Sequence, residues 1–179
     1  MLKALLVIAV ILVVGAAGVL AYASTRPDTF QVVRSTVVKA PPEKIIALIE
    51  DFRRWREWSP FEEMDPNLKR AYSGAAKGKG AIYEWQGDGR AGAGRMEIAE
   101  VLPSRKVAIK LDFTKPMTAH NIAEFTLAPE GEATKVTWDM HGPNPLIGKV
   151  MHLFFNFDRM VGGEFEKGLA KLKAAAETG

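Results

Sequence analysis

Hydrophobic positions fall into distinct rhythms along this chain. From Ala4 to Ala23, twenty residues run without a charge (ALLVIAVILVVGAAGVLAYA), the length a helix needs to cross the ~30 Å hydrocarbon core of a bilayer. From Thr29 the pattern becomes rich in β-branched residues, TFQVVRSTVVKA, and predicts a strand up to Ala40. Pro41-Pro42-Glu43 then opens a helix, proline and an acid suiting its first turn, with Ile45, Ile46, Leu48 and Ile49 on its apolar side and an end near Asp51. The stretch FRRWREWSPFEEMDP mixes aromatics and charges, and Pro60 and Pro66 argue against regular structure there. Between Leu68 and His141 about six strands follow: LKRAYSG, AIYEWQG, GRMEIAEVLP, KVAIKLDF, HNIAEFTLA and TKVTWDM, separated by glycines, prolines and Pro129-Glu130-Gly131. After Pro143 and Pro145 the helical rhythm returns over Leu146 to Phe155 and continues, as one bent rod, into a closing helix from Phe157 to Ala176. There Val161, Phe165, Leu169, Leu172 and Ala176 recur at threes and fours on one face. The order strand, helix, antiparallel meander, long helix is an α+β arrangement in which a curved sheet must cover its apolar face with the last helix.

The leading apolar run reads as a membrane segment, with Lys3 before it and Tyr22 near its far end, where an amphipathic aromatic suits the interface. Its rival is a signal peptide cleaved at Ala21-Tyr22-Ala23; the run exceeds the usual signal core of about 7 to 15 residues, which favours an anchor or an uncleaved signal. The division is residues 1–23 as anchor, 24–29 as linker and 30–177 as the folded domain, placed outside the cytoplasm as the soluble part of a single-pass membrane protein.

Composition narrows the chemistry. With 24 basic and 21 acidic residues interspersed, the chain lacks the charge footprint of nucleic-acid binding. It has no cysteine, which excludes disulfides, thiolate metal sites and a cysteine nucleophile. Gly87-Asp88-Gly89-Arg90-Ala91-Gly92 fits G-x-G-x-x-G, but a strand follows where a dinucleotide site needs a helix N-terminus, so it reads as a hairpin turn.

Trp55-x-x-Trp58-Ser59-Pro60-Phe61, the strand Gly78-x-Gly80-x-x-Tyr83-x-Trp85, the strand Val136-Thr137-Trp138-x-Met140 and the closing Phe165-Glu166-x-Gly168-Leu169-x-x-Leu172-Lys173 together resemble the START/Bet v 1-like (SRPBCC) superfamily, and more narrowly its polyketide cyclase/dehydrase-like bacterial members. The resemblance spans about Phe30 to Glu177. It implies a helix-grip fold, a sheet of about seven strands wrapped on the long C-terminal helix, with an apolar cavity between them for a lipid-like or polycyclic ligand. Carriers, sensors and some enzymes share that fold, so function has to be argued from the site.

Alternation places Tyr83, Trp85, Met96, Phe113, Phe125, Trp138 and Met140 on the inward face, as core or as ligand-binding lining. The resemblance implies that Trp55, Trp58 and Phe61 lie near the cavity mouth; the alternative is a hydrophobic plug under the loop. On the closing helix Gly162, Gly163 and Phe165 face the same space, the glycines leaving a gap or permitting close packing at ~1 kcal/mol each against alanine. Asp158 falls on the buried stripe, where a carboxylate needs a partner such as a tryptophan N–H or an arginine of Arg53-Arg54-Trp55-Arg56. Asp158 and Tyr83 are the acid/base candidates, with no second group to complete a pair. His120, Asp139 and His141 share the outward face, with no pocket to exclude water, and no metal or cofactor is expected. His152 reads as a packing residue. The expected activity is membrane-anchored binding of a hydrophobic small molecule or lipid; a cyclase or dehydratase using the same cavity and a protein-interaction module without ligand are the alternatives.

Overall fold

A computed structural model describes residues 2–89 and 91–178. An apolar helix α1 (Leu2–Ser24) leads into strand β1 (Thr29–Val38) and helix α2 (Pro42–Ile49). Strands β2 (Lys69–Gly74), β3 (Ala81–Gln86), β4 (Ala93–Leu102), β5 (Lys106–Lys115), β6 (Ala119–Glu130) and β7 (Ala133–Pro143) follow, then helices α3 (Leu146–Phe154) and α4 (Phe157–Thr178). All pairings are antiparallel and the sheet order is β1-β7-β6-β5-β4-β3-β2. The first strand therefore closes against the last. This is the helix-grip architecture, and the six strands of the meander form where alternation predicts them.

Register follows the apolar alternation. Phe125 stands opposite Trp138 and Leu127 opposite Val136, which turns both rows inward. One residue of slip would send them to solvent. Against that inner face α4 lays Phe165, Gly168, Leu169, Leu172 and Ala176, all buried. Trp138 and Phe165 stack face to face, 4.0 Å between centroids and 4° between planes. Gly168 permits this approach: a Cβ there would lie 2.9 Å from both the Pro60 and Trp138 rings.

Two segments differ from the sequence expectation. Phe52–Glu57 and Pro60–Glu63 form short 3-10 turns instead of irregular chain. Asp51 caps the first by accepting from the Arg53 N–H at 2.9 Å, and Pro60 occupies a first-turn position where its missing N–H costs nothing. The bent rod is two helices. Phe155 is extended, and the Asn156 side chain accepts the Arg159 N–H at 2.9 Å, so α4 starts afresh with its own cap. The turn Gly87–Gly92 joins β3 to β4 as a hairpin, with Arg90 outside the described residues.

Burial along the strands is deepest at mid-sheet. Ile98, Ile109, Phe125 and Val136 are 0% exposed, while towards the end of β1 Leu127 keeps 6%, and towards its start Met96, Leu111, Asn121 and Met140 keep 6 to 8%. Beyond them Phe113 and Phe30 are only half-buried. The interior thus has a closed end, stoppered by α2 and the last turns of α4, and an open end where β1 begins and β7 finishes.

The two central glycines of α4 should respond in opposite senses. Gly163 has no atom within 4 Å of an added Cβ. Gly163→Ala is expected to stabilise by ~0.5–1 kcal/mol through helix propensity, whereas Gly168→Ala is expected to destabilise by ~1–3 kcal/mol through overpacking. Urea unfolding followed by circular dichroism in detergent micelles measures both.

Candidate functional site

The space between sheet and α4 is built in layers, and the layer nearest the closed end is solid. Trp55 and Trp58 are buried, and their indole N–H groups donate to the Ile49 and Leu48 carbonyls at 2.9 and 3.1 Å. Those carbonyls belong to the last turn of α2 and have no partner within the helix, so the two indoles serve as its C-terminal caps. Held this way, the rings meet each other at 4.8 Å between centroids with their planes tilted by 52°, and meet Phe125 and Trp138 edge-on. Phe61 adds edge contacts to Trp138 and Phe165. Of the candidate lining residues, Trp55, Trp58, Phe61, Phe125, Trp138 and Phe165 therefore form one aromatic plug.

Tyr83 belongs to a different cluster. Its hydroxyl donates to Glu62 Oε1 at 2.6 Å, and Arg70 Nε donates to Glu62 Oε2 at 2.6 Å; Glu62 is buried. Arg70 also donates to the Leu68 and Glu62 carbonyls. Burial, followed by the Glu62 carboxylate, pushes the Tyr83 phenol well above its ordinary value. The hydroxyl keeps its proton and ties the second 3-10 turn to β3, which does not suit a general base. Glu62 was not legible as a buried acid, because it sits in a run of charges.

Asp158 is not on the buried stripe. Its side chain is 61% exposed at the open rim, and its partner is Arg34 of β1, at 2.9 Å from Nη2 to Oδ2. None of Arg53, Arg54 and Arg56 fills that role. Arg34 Nε also meets Glu166 at 2.8 Å. Hydrogen bonding to Arg34 holds the Asp158 carboxyl below the usual carboxylate range. A Cβ on Gly162 would collide with the Arg34 guanidinium, so this glycine makes room for an arginine and not for a ligand. Arg34 itself was missed; its signal was an arginine in the inward row Phe30, Val32, Arg34, Thr36, Val38. Asp158 and Tyr83 engage separate partners and form no acid/base pair.

The open end holds the remaining candidates. Trp85 donates to the Ala91 carbonyl at 3.0 Å and lays its ring over Gly94, where any Cβ would strike it, to meet Phe113 edge-on at 5.6 Å. On the same inward face Met96 of β4 stands opposite Leu111 of β5, and Met140 of β7, two strands from β5, stands opposite Ala123 of β6. Phe30, His152 and Phe157 close the rim: Phe157 packs edge-on against Phe30 at 5.2 Å and stacks on His152 at 4.9 Å. Burial pushes the His152 pKa down, favouring the neutral ring, in keeping with a packing role. Among the described residues, Trp138 Nε1, Ser59 Oγ and Asn121 Oδ1 are buried without a protein partner.

On the outer face, His120 pairs with Asp112 at 2.7 Å and His141 with Asp139 at 2.8 Å. Open concavities of about 750 and 600 Å³ lie mainly against outward-facing side chains, the first including His120 and His141, the second Glu84 and Arg95. Among the described residues no three His, Cys, Asp or Glu side chains gather as a metal site.

Residues 29–177 match the family described as polyketide cyclase / dehydrase and lipid transport, and the chain belongs to that family. A search of curated proteins gives no match. Among solved structures, protein CV1439 from Chromobacterium violaceum is similar over 86% of this chain and 100% of its own, at 18% identity and a TM-score of 0.59. DynU16, from the dynemicin biosynthetic locus, is similar over 86% of this chain and 48% of its own, at 20% identity and a TM-score of 0.57. The di-domain ARO/CYC BexL of the BE-7585A biosynthetic pathway is similar over 89% and 54%, at 11% identity and a TM-score of 0.63. At these identities the likeness is one of fold.

Asp158→Asn is expected to leave the fold intact, since exposed ion pairs contribute little. Because the folded-state pKa is lowered, the Asp158 contribution is present above the ordinary carboxylate value and is lost as pH falls from there through the depressed folded-state value. Melting curves should place the variant slightly below wild type at neutral pH, with the two converging only once pH has fallen below the lowered folded-state value of Asp158.

Proposed function

We propose that the protein binds a hydrophobic small molecule or lipid in an apolar throat at the open end of the grip, held beside a bilayer by α1. The observation that carries this reading is the burial gradient, with its open end at the start of β1, where the chain arrives from α1. α1 is long and apolar enough to cross a membrane, by length and composition. The binding surface is Trp85, Met96, Leu111, Phe113 and Met140, bordered by Phe157 and Val161. Methionine suits such a place, because an unbranched thioether chain re-packs around different shapes.

The aromatic plug sets the floor. A ligand therefore enters only the outer half of the interior, which favours an alkyl chain or small ring over a large polycycle. Apolar contact contributes ~25 cal/mol per Å² before the entropic costs of association. The Trp138 N–H, a buried donor with no protein partner, supplies orientation: leaving it unpaired costs ~1–3 kcal/mol, which a ligand carbonyl or carboxylate offsets. The family description, which joins cyclases to lipid transport, supports an apolar ligand. Asp158 and Tyr83, the two acid/base candidates, sit in separate clusters with Arg34 and Glu62 respectively, which favours binding over cyclase or dehydratase chemistry.

All four tryptophans lie in the domain, which gives an internal energy donor. With full-length protein in nanodiscs, cis-parinaric acid should show saturable energy transfer from tryptophan. Leu111→Phe, which narrows the throat without adding a tryptophan donor, should weaken binding by about tenfold, equivalent to ~1.4 kcal/mol of lost contact. Equal transfer in both proteins, or none in wild type, contradicts the reading.

A further inference from the structure

We infer that the α3–α4 elbow is a second membrane-contacting element, which beds in the bilayer interface beside α1 and sets the throat mouth against the lipid. The inference rests on α1 being a membrane anchor and is independent of whether the throat holds a ligand.

α3 presents Ile147, Met151 and Phe154 at helical spacing, so they share one face. Ile147 and Phe154 are more than half exposed, as are Phe155 in the elbow and Met160 in the first turns of α4. Scattered surface hydrophobes are normal, but a contiguous helix face with two phenylalanines at its end is not. Its opposite side is fastened. Lys149 is buried and donates to Asp28 at 2.6 Å, the Asn144 N–H donates to the Asp28 carbonyl at 2.7 Å, and the Asn144 side chain donates to the Pro27 carbonyl at 3.2 Å. These bonds lock the start of α3 to the linker that leaves α1.

α1 names the occupant of the exposed face. α3 packs against α1, and among the described residues Ala23, in the last turn, is the one buried residue of α1. At 1.5 Å per residue α1 is about 34 Å long, close to the hydrocarbon thickness plus one turn. Anything packed at Ala23 therefore lies at the level of the headgroups. Tyr22 and Arg26 mark the same level: the guanidinium sits 4.7 Å over the phenol ring, an aromatic and a cation suited to the interface. The β5–β6 turn, at the same end of the sheet, adds exposed Lys115 and Met117, and Arg159 is exposed beside Met160. Apolar side chains flanked by cations are the pattern of an interfacial helix. His152 and Phe157, on the inner side of the elbow, close the rim of the throat, so docking the outer side puts that rim in contact with lipid.

The chain has no cysteine, so single probes are available without background. Full-length protein carrying Phe154→Cys, Met160→Cys or Met117→Cys, each labelled with an NBD fluorophore, is reconstituted in phosphatidylcholine vesicles containing a minority of phosphatidylglycerol. Val10→Cys in α1 and Glu132→Cys in the β6–β7 turn are the membrane and water references. The expected result is blue-shifted NBD emission at 154 and 160, quenched by doxyl-labelled lipid towards the Val10 level, with a smaller effect at 117 and none at 132. Probes at 154 and 160 that behave like Glu132 overturn the inference, whatever the throat binds. So does blue-shifted emission that lipid-borne doxyl leaves unquenched, which means a second copy covers the face. An unquenched Val10 probe overturns it as well, by removing the anchor it rests on.

Discussion

The fold depends on how closely α4 approaches the sheet, and that distance is set where Trp138 stacks on Phe165 beside Gly168. Face-to-face contact of two large rings brings helix and strand together only if the next inward position has no side chain. Glycine supplies that at a helix-propensity cost of ~1 kcal/mol, which the buried aromatic area outweighs. Once α4 is pinned at this point, the geometry on either side follows. Towards its C-terminus Leu169, Leu172 and Ala176 sink against Val38, Val136 and α2. Towards its N-terminus the inward residues Phe157 and Val161 are only part-buried.

The two halves of α4 are consequently held by different physics. The C-terminal half is held by close packing of fully buried side chains, which salt does not screen. The N-terminal half is held by Arg34, which reaches from β1 to Asp158 and Glu166 through exposed ion pairs, and by the Phe30, His152 and Phe157 contacts. Exposed ion pairs are weak and screened. The end of the grip at which β1 begins is therefore the end with fewer fully buried contacts.

Element types and register were readable in the sequence because period-2 and period-3.6 patterns report which face is buried. That logic put Phe125 and Trp138 on the inward face and His120, Asp139 and His141 outside. It misplaced Asp158 because periodicity assumes the stripe is covered along its whole length, and the first turn of α4 extends to the open rim. It could not pair Arg34 with Asp158, since that contact joins residues far apart in the chain and depends on how β1 lies beneath α4. Nor could it tell plug from lining: Trp58 and Trp85 are both inward tryptophans, and only the carbonyls of α2 decide that one is a cap. The 3-10 turns went unread because their stabilisation comes from Asp51 capping and the Glu62–Arg70–Tyr83 cluster, while the local composition looks like loop.

Amide hydrogen exchange on the full-length protein in nanodiscs, with and without a long-chain fatty acid, tests the central claim most directly. A ligand in the throat should slow exchange around Gly94–Met96, Leu111–Phe113, Asn121–Ala123, Met140–Gly142 and the first turns of α4, leaving α2 and the last turns of α4 unchanged. Protection centred on the closed end, or none anywhere, would contradict it.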